Sequence, residues 1–245
     1  MNINFSWYGL VYALGFILFL IKQNPKNDDN SFYYRLYISI YAAIGAIVGG
    51  RLFYIVCYEP DYYIHHLLEC FQIYKGGMSF HGGLIGLSAS VFLADKKNFW
   101  NNLDKAALIA IVVLPIGRIV NFINGELWGT PTAHPWGVVF LGADFQPRHP
   151  VQIYEAVFEG PFAALVIYAL KNKLSKSGDI ACAYGIFYAL ARFITEFFRE
   201  PDIPVGYIFT FFSLGQILCF IQLIVISIIF KYKRTRQKAI CRKSD

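Results

Sequence analysis

Charge is scarce in this chain. Asp, Glu, Lys and Arg make up 16% of its 245 residues, against about 25% in an ordinary soluble domain. That shortage argues against a water-soluble globule with a charged surface. Cysteine is sparse and scattered: Cys57, Cys70, Cys182, Cys219 and Cys241 form no CxxC pair. An odd set without metal-like spacing argues against a disulfide framework and a metal cluster, and no motif supports a catalytic cysteine. There is no HExxH motif and no nucleotide fingerprint. No linker, low-complexity run or internal repeat divides the chain. We therefore expect a single integral-membrane domain over residues 1–230 and a basic tail over 231–245. We expect the first apolar run, Phe5 to Ile21, to be a span and not a cleavable signal peptide, since it has no basic flank before it and is followed by Lys22.

Apolar sequence is what the chain has in abundance. Hydrophobic residues make up 56% and aromatics 18%, as expected of a polytopic membrane protein with aromatic belts. Seven apolar segments read as spans, at about 5–21, 36–58, 80–94, 104–124, 151–170, 179–199 and 207–230, near the ~20 residues that cross a bilayer core. The fold class is therefore all-α. The third segment is short and Gly-rich, which suits a tilted, broken or re-entrant helix. Most of the basic residues fall on one side of this layout: Lys22, Lys26 and Arg35; Lys96, Lys97 and Lys105; Lys171, Lys173 and Lys176; and the tail from Lys231 to Lys243. The other side holds Lys75, Arg148 and Arg199. The positive-inside rule then puts the N-terminus outside and the C-terminus in the cytoplasm. The net charge of +6 is thus mainly a topology signal with some attraction to anionic lipid, and not a nucleic-acid footprint.

A few charges lie inside the spans, where each costs roughly 2.5–3.5 kcal/mol on insertion scales and marks a functional site by default. In GRIVNFINGELWG, Arg118, Asn121 and Gly125 fall at i, i+3 and i+7, on one helical face, with Asn124 and Glu126 at the helix exit. Arginine offers a planar fork suited to phosphate oxygens. The alternative is that Arg118 pairs with a nearby Glu to hold helices together. In RFITEFFREPD, Tyr188, Arg192, Glu196 and Arg199 recur at helical spacing, and Arg192 and Glu196 can satisfy each other at i, i+4. Pro201 and Pro204 stop that helix. In RHPVQIYEAVFEG, Pro150 suits a first turn, and Gln152, Glu155 and Glu159 share a face. Glu155 is either catalytic or simply favoured near a helix N-terminus. In GGMSFHGGLIG, glycines surround His81, a proton-transfer candidate that is equally readable as structural.

All these polar groups sit toward the outer ends of their spans. One outward-facing chamber can therefore gather His81, Arg118, Asn121, Tyr154, Arg192 and Glu196. Two arginines point to an anionic ligand, and a phospholipid headgroup can reach such a site from the side. A transporter for an anionic solute would use the same arginines, although many transporters show internal repeats and none is visible here. A non-catalytic lipid-binding assembly protein is the other alternative.

At these residues the sequence resembles the prolipoprotein diacylglyceryl transferase family. The resemblance rests on WYGL at Trp7–Leu10, GGMSFHGG at Gly76–Gly83, GRIVNFINGELWG at Gly117–Gly129, RHPVQIYEA at Arg148–Ala156 and RFITEFFREPD at Arg192–Asp202. These motifs occur in the family's order through nearly the whole chain. The resemblance implies a seven-span bacterial inner-membrane enzyme without cofactor or metal. Such an enzyme moves the diacylglyceryl group of phosphatidylglycerol to the lipobox cysteine thiol of a preprolipoprotein and releases glycerol-1-phosphate. Motif by motif, it implies functional positions at Tyr8, His81, Arg118, Asn121, Glu126, Gly129, Arg192 and Glu196. The catalytic expectation falls on His81, Arg118, Arg192 and Glu196, and the substrate-binding one on Tyr8, Arg118, Asn121, Glu126, Gly129 and Tyr154. Two positions depart from the family's pattern: Val120 stands where Gly is usual, and Val151 where Ser is usual. Val151 argues against a hydroxyl role there. The thiol of the acceptor, with an ordinary pKa near 8.5, needs a base or a positive field. His81 either accepts that proton or only holds lipid and shapes the bend.

Overall fold

The computed structural model describes residues 7–23, 31–201, 205–208 and 211–244. The expectations at Phe5, Lys26, Asp202 and Pro204 lie outside the described residues, as do the side chains of Lys75, Lys238, Arg242 and Lys243. The chain is mostly helical. In order come α1 (Trp7–Lys22), α2 (Ser31–Cys57), a short α3 (Pro60–His65), α4 (Phe80–Ala94) and α5 (Phe99–Ile123). There follow α6 (Val151–Val157), α7 (Ala163–Ala169), α8 (Asp179–Thr195) and α9 (Leu214–Ser244). Two small antiparallel hairpins interrupt the helices: β1 (Val138–Val139) with β2 (Pro147–Arg148), and β3 (Tyr207–Ile208) with β4 (Phe212–Ser213).

Among the described residues, four helical stretches are long and apolar enough to cross a membrane: Phe32–Cys57, Phe99–Ile123, Asp179–Phe198 and Leu214–Arg236. The helices Trp7–Lys22 and Phe80–Ala94 are apolar but shorter. α4 is one unbroken helix of 15 residues, about 22 Å at 1.5 Å per residue. The segment expected at 151–170 is helical but divided: α6 and α7 are joined by a π-helical turn, Phe158–Phe162, containing Pro161. Proline has no N–H to give the turn before it, and a wider π turn absorbs the loss. The last segment begins at Leu214 and not at 207, because Tyr207–Ile208 pairs antiparallel with Phe212–Ser213. α9 then runs through the basic tail as continuous helix.

The exposed surface is apolar. Leu93 is 73% exposed, Val56 67% and Ile228 63%, with many like them along α2, α4 and α9. Monomeric soluble proteins rarely show apolar surface on this scale, whereas lipid accepts it. The interior has two apolar clusters. One joins Ala107, Ile111, Ala163, Ile167, Leu174, Tyr184 and Tyr188 of α5, α7, α8 and the turn after α7. The other joins Phe19, Ile38, Ala42 and Val91 of α1, α2 and α4. α2 and α4 pack backbone to backbone through glycines: a Cβ on Gly49 would stand 2.7 Å from Gly86 Cα, the close approach that small residues permit in membranes.

Polar groups close both ends of this bundle. At one end Asp104 of α5 accepts from the backbone N–H groups of Gly178 (2.5 Å) and Ala181 (2.8 Å), capping α8 from a neighbouring helix. Asp179 there takes Lys233 (2.6 Å) and Arg234 (3.1 Å) from α9. The basic tail is thus fastened at its root to α8. The functional candidates lie at the other end.

Candidate active site

α5 ends where its sequence says it should. Gly125 has φ +65°, its N–H donates to Phe122 O, and the Glu126 N–H reaches back to Asn121 O at 2.9 Å. This is the Schellman arrangement that glycine permits. It corrects the expected face: Gly125 lies past the helix end and does not continue the line of Arg118 and Asn121.

Arg118 turns toward the π-helical stretch. Its Nε and Nη2 donate to the two carboxylate oxygens of Glu159 at 3.0 and 2.9 Å. Nη1 lies 3.1 Å from Glu155, and Nη2 also donates to the Tyr188 hydroxyl at 3.4 Å. Arg192 of α8 pairs with the other oxygen of Glu155 and, at 2.7 Å, with Glu196. Arg199 approaches Glu155 at 3.8 Å. Glu196 falls in the 3₁₀ turn Glu196–Phe198 that finishes α8, and it accepts from the Ser213 hydroxyl at 3.0 Å. Three arginines and three glutamates therefore converge from α5, from α6 and its π-helical turn, and from α8 and the residues that follow it, and Glu155, Glu159 and Glu196 are all buried. Arg118 does pair with glutamates, as the helix-holding alternative supposed. The cluster as a whole goes further than one strut between two helices requires.

A second polar group lies one helical turn along α5. The Tyr8 hydroxyl donates to Asn121 Oδ1 at 2.6 Å and also meets the Glu126 carboxylate. Asn124 donates to the same carboxylate at 3.3 Å. Gln152 of α6 donates its amide to Glu126 O at 2.6 Å. Because Gln152 and Glu155 share a face of α6, this amide joins the two polar groups.

His81 lies in the first turn of α4, whose N-cap is Ser79. Its Nε2 faces the buried Cys219 thiol of α9 at 3.8 Å. Phe80 beside it stacks on Tyr188, with ring centroids 4.3 Å apart. Tyr154 is elsewhere. Its hydroxyl accepts from Trp136 Nε1 at 2.9 Å and lies 3.2 Å from His149 Nδ1, in an aromatic cluster with Phe198. The structure does not bring it to the arginines.

The loop 125–150 stitches the motifs together. Gly129 N–H donates to His149 O at 3.0 Å and Thr130 N–H to Phe198 O at 2.9 Å. Arg148 donates to Gly129 O at 2.9 Å, clasps Asp144 with two nitrogens at 3.0 and 3.1 Å, and pairs with Glu200. Arg148 holds the Asp144 carboxyl below the usual carboxylate range. A Cβ on Gly129 would stand 2.5 Å from Phe198 O and 2.6 Å from His149 O. Gly129 is therefore a crossing point of backbones rather than a side-chain contributor.

Sequence reasoning did not assign Glu159, Ser213 or Cys219 to this cluster. Glu159 had a signal, one turn after Glu155 on the same face. Ser213 carries none, since it falls within the apolar segment at 207–230. Among the described residues, no three His, Cys, Asp or Glu side chains are arranged to hold a metal ion.

These features define a helical membrane protein built around a buried arginine–carboxylate cluster. The model of one family, prolipoprotein diacylglyceryl transferase, matches residues 1–232, and the chain belongs to that family. Among its relatives is the phosphatidylglycerol–prolipoprotein diacylglyceryl transferase of Geobacter sulfurreducens, 43% identical over 89% of this chain and 87% of the relative. The protein of the same name from Rickettsia akari is 42% identical over 90% and 89%. That from Oleidesulfovibrio alaskensis is 37% identical over 97% and 93%.

Proposed function

We infer that the chain transfers the diacylglyceryl group of phosphatidylglycerol to the cysteine thiol of a prolipoprotein, releasing glycerol-1-phosphate. It is a transferase of lipoprotein maturation. The observation that carries the site assignment is the sharing of one buried carboxylate, Glu155, by Arg118 and Arg192. Two guanidinium groups from different helices meet there, and a guanidinium binds phosphate oxygens by the same paired hydrogen bonds with which it binds a carboxylate.

The transfer breaks the bond between the diacylglyceryl CH2 and its phosphate oxygen and forms a carbon–sulfur bond at the same carbon. The bonding pair leaves with the phosphate, which gains a negative charge. Arg118 and Arg192 bind the phosphate and stabilise that growing charge. His81 accepts the thiol proton, so that a thiolate attacks. Glu196 orients Arg192. Tyr8, Asn121 and Glu126 hold the headgroup, Gly129 shapes the wall above it, and Tyr154 contacts substrate at the outer rim.

In this reading all seven helical segments cross the bacterial inner membrane, with the N-terminus outside and the C-terminus in the cytoplasm. Residues 1–230 form one catalytic domain and 231–245 a basic cytoplasmic tail. The partners are phosphatidylglycerol and lipobox preprolipoproteins, and nucleic acid is not among them.

The test is transfer itself. Purified protein is mixed with phosphatidylglycerol and a lipobox peptide, and the peptide mass and glycerol phosphate are followed. A Cys→Ala peptide and an Arg118→Gln protein run alongside. Cysteine-dependent diacylglyceryl addition, absent in the folded Arg118→Gln variant, supports the reading. Well-folded protein that binds phosphatidylglycerol but transfers nothing overturns it.

A further inference from the structure

Arg51 lies within the apolar segment at 36–58, and it takes no part in the carboxylate cluster. It sits on α2 and is 4% exposed. Every one of its guanidinium nitrogens ends on a backbone carbonyl. Nε donates to Cys70 O at 2.9 Å, Nη2 to Glu69 O at 2.6 Å, and Nη1 to Gly76 O at 2.6 Å and Gly77 O at 3.1 Å. The Tyr63 ring covers it, 5.0 Å from Cζ.

The carbonyls belong to the segment that leads into α4. Gly76 and Gly77 have φ +88° and +75°, a conformation that glycine alone adopts freely. Two successive left-handed residues are what turn two successive carbonyls onto one guanidinium. Gly77 also has no room for a side chain: a Cβ would stand 2.7 Å from Tyr54 and 2.8 Å from Arg51 Nη1. The neighbour of Arg51 continues the attachment, since Gly50 O accepts from the Ser79 N–H at 3.0 Å. Ser79 is the N-cap of α4, and His81 lies in the first turn that it starts.

We propose that Arg51 is a positioning residue for His81. By gathering the carbonyls of Glu69, Cys70, Gly76 and Gly77, it fixes where α4 begins and so where the His81 imidazole stands. Its guanidinium is occupied by main chain and does not hold phosphate. The proposal rests on the reading that His81 serves the transfer reaction.

Arg51→Gln, Arg51→Lys and Gly77→Ala are compared with the wild type, using phosphatidylglycerol and the lipobox peptide. Displacing a reacting group by an ångström lowers turnover by up to about a hundredfold. We expect Arg51→Gln and Gly77→Ala to lower kcat by about tenfold or more, with the KM for phosphatidylglycerol within twofold of wild type. We expect Arg51→Lys to recover part of the loss and the Arg51→Gln/Gly77→Ala double variant to be no worse than the poorer single one. Wild-type kcat in folded Arg51→Gln overturns the proposal, as does a raised KM at unchanged kcat. If Arg51→Gln does not fold, fully active Gly77→Ala overturns it instead. The rate at which diethyl pyrocarbonate modifies His81, read on its peptide by mass, is measured in the same proteins. It changes with Arg51→Gln if the proposal holds and stays the same if it fails. That readout separates this proposal from failure of the functional reading, in which the wild type itself transfers nothing.

Discussion

Glu155 stands between Arg118 and Arg192 with one carboxylate oxygen on each: Oε2 is 3.1 Å from Arg118 Nη1, and Oε1 pairs with Arg192 Nη1. Glu155 thus balances guanidinium charge from two helices at once. Three arginines and three glutamates balance, and a phosphate entering this cluster either adds a fourth anion or displaces one.

Glu155→Gln tests that balance. Breaking a buried pair by removing one partner costs about 3–5 kcal/mol, so the lipid-free variant melts well below wild type. It also carries one uncompensated positive charge, which an anionic headgroup restores. The rise in Tm on adding phosphatidylglycerol, over that with phosphatidylcholine, is therefore larger in Glu155→Gln than in wild type. An equal rise in both proteins would mean that Glu155 and the phosphate do not compete for the arginines.

Gly129→Ala puts a methyl group against two carbonyl oxygens, those of Phe198 and His149. Both belong to backbone, so neither can swing aside as a flexible side chain would. Overpacking of this kind costs about 1–3 kcal/mol, occasionally more. The expected result is a lower Tm, with faster amide exchange at Thr130 and His149, the N–H groups bonded across the same crossing. Unchanged exchange would show that the loop yields without strain.

Much of this was legible in the sequence. Apolar runs outline the helices because a membrane segment must be apolar along its length, and the i, i+4 pairing of Arg192 with Glu196 is local. Periodicity shows which residues share a face, but not which neighbour that face meets. Asn121 and Arg118 share one face by their spacing, yet they reach Tyr8 and Glu159 on different partners. Arg51 looked like another intramembrane charge, because the carbonyls that satisfy it come from a loop whose path no pattern specifies. Tyr207 to Ser213 is as apolar as a span, and only its hairpin pairing removes it from α9.

The loop 125–150 should respond to acid. Burial lowers the pKa of His149, and His134 beside it adds to the effect; the two rings are 5.8 Å apart. With the folded value below the ordinary one near 6.5, the unfolded chain takes up the proton first. The stability His149 contributes is complete above the ordinary range and is lost as pH falls through it to the lowered value. Amide exchange over residues 128–150, corrected for intrinsic rate, should accelerate between pH 7.5 and 5.5. In His149→Gln that acceleration should shrink. An equal acceleration in the variant would place the sensitive group elsewhere.

Lysine substitution should separate the two arginines. Arg118 uses all three guanidinium nitrogens, and two of them form a parallel pair of hydrogen bonds with Glu159. An ammonium is a point charge with no fork, so it cannot hold both oxygens of Glu159 and still face Glu155. Losing a preorganised donor at developing charge lowers kcat by about 10²–10³, and Arg118→Lys should fall in that range, close to Arg118→Gln. Arg192 meets Glu155 and Glu196 through ion pairs, one from each terminal nitrogen. A lysine placed between those two carboxylates keeps the charge and much of the attraction. Arg192→Lys should therefore retain more kcat/KM than Arg118→Lys, by about tenfold on the same scale. Steady-state kinetics with phosphatidylglycerol and the lipobox peptide decide the matter. Equal losses at the two positions would mean that charge alone matters and that the fork of Arg118 has no special part in transfer.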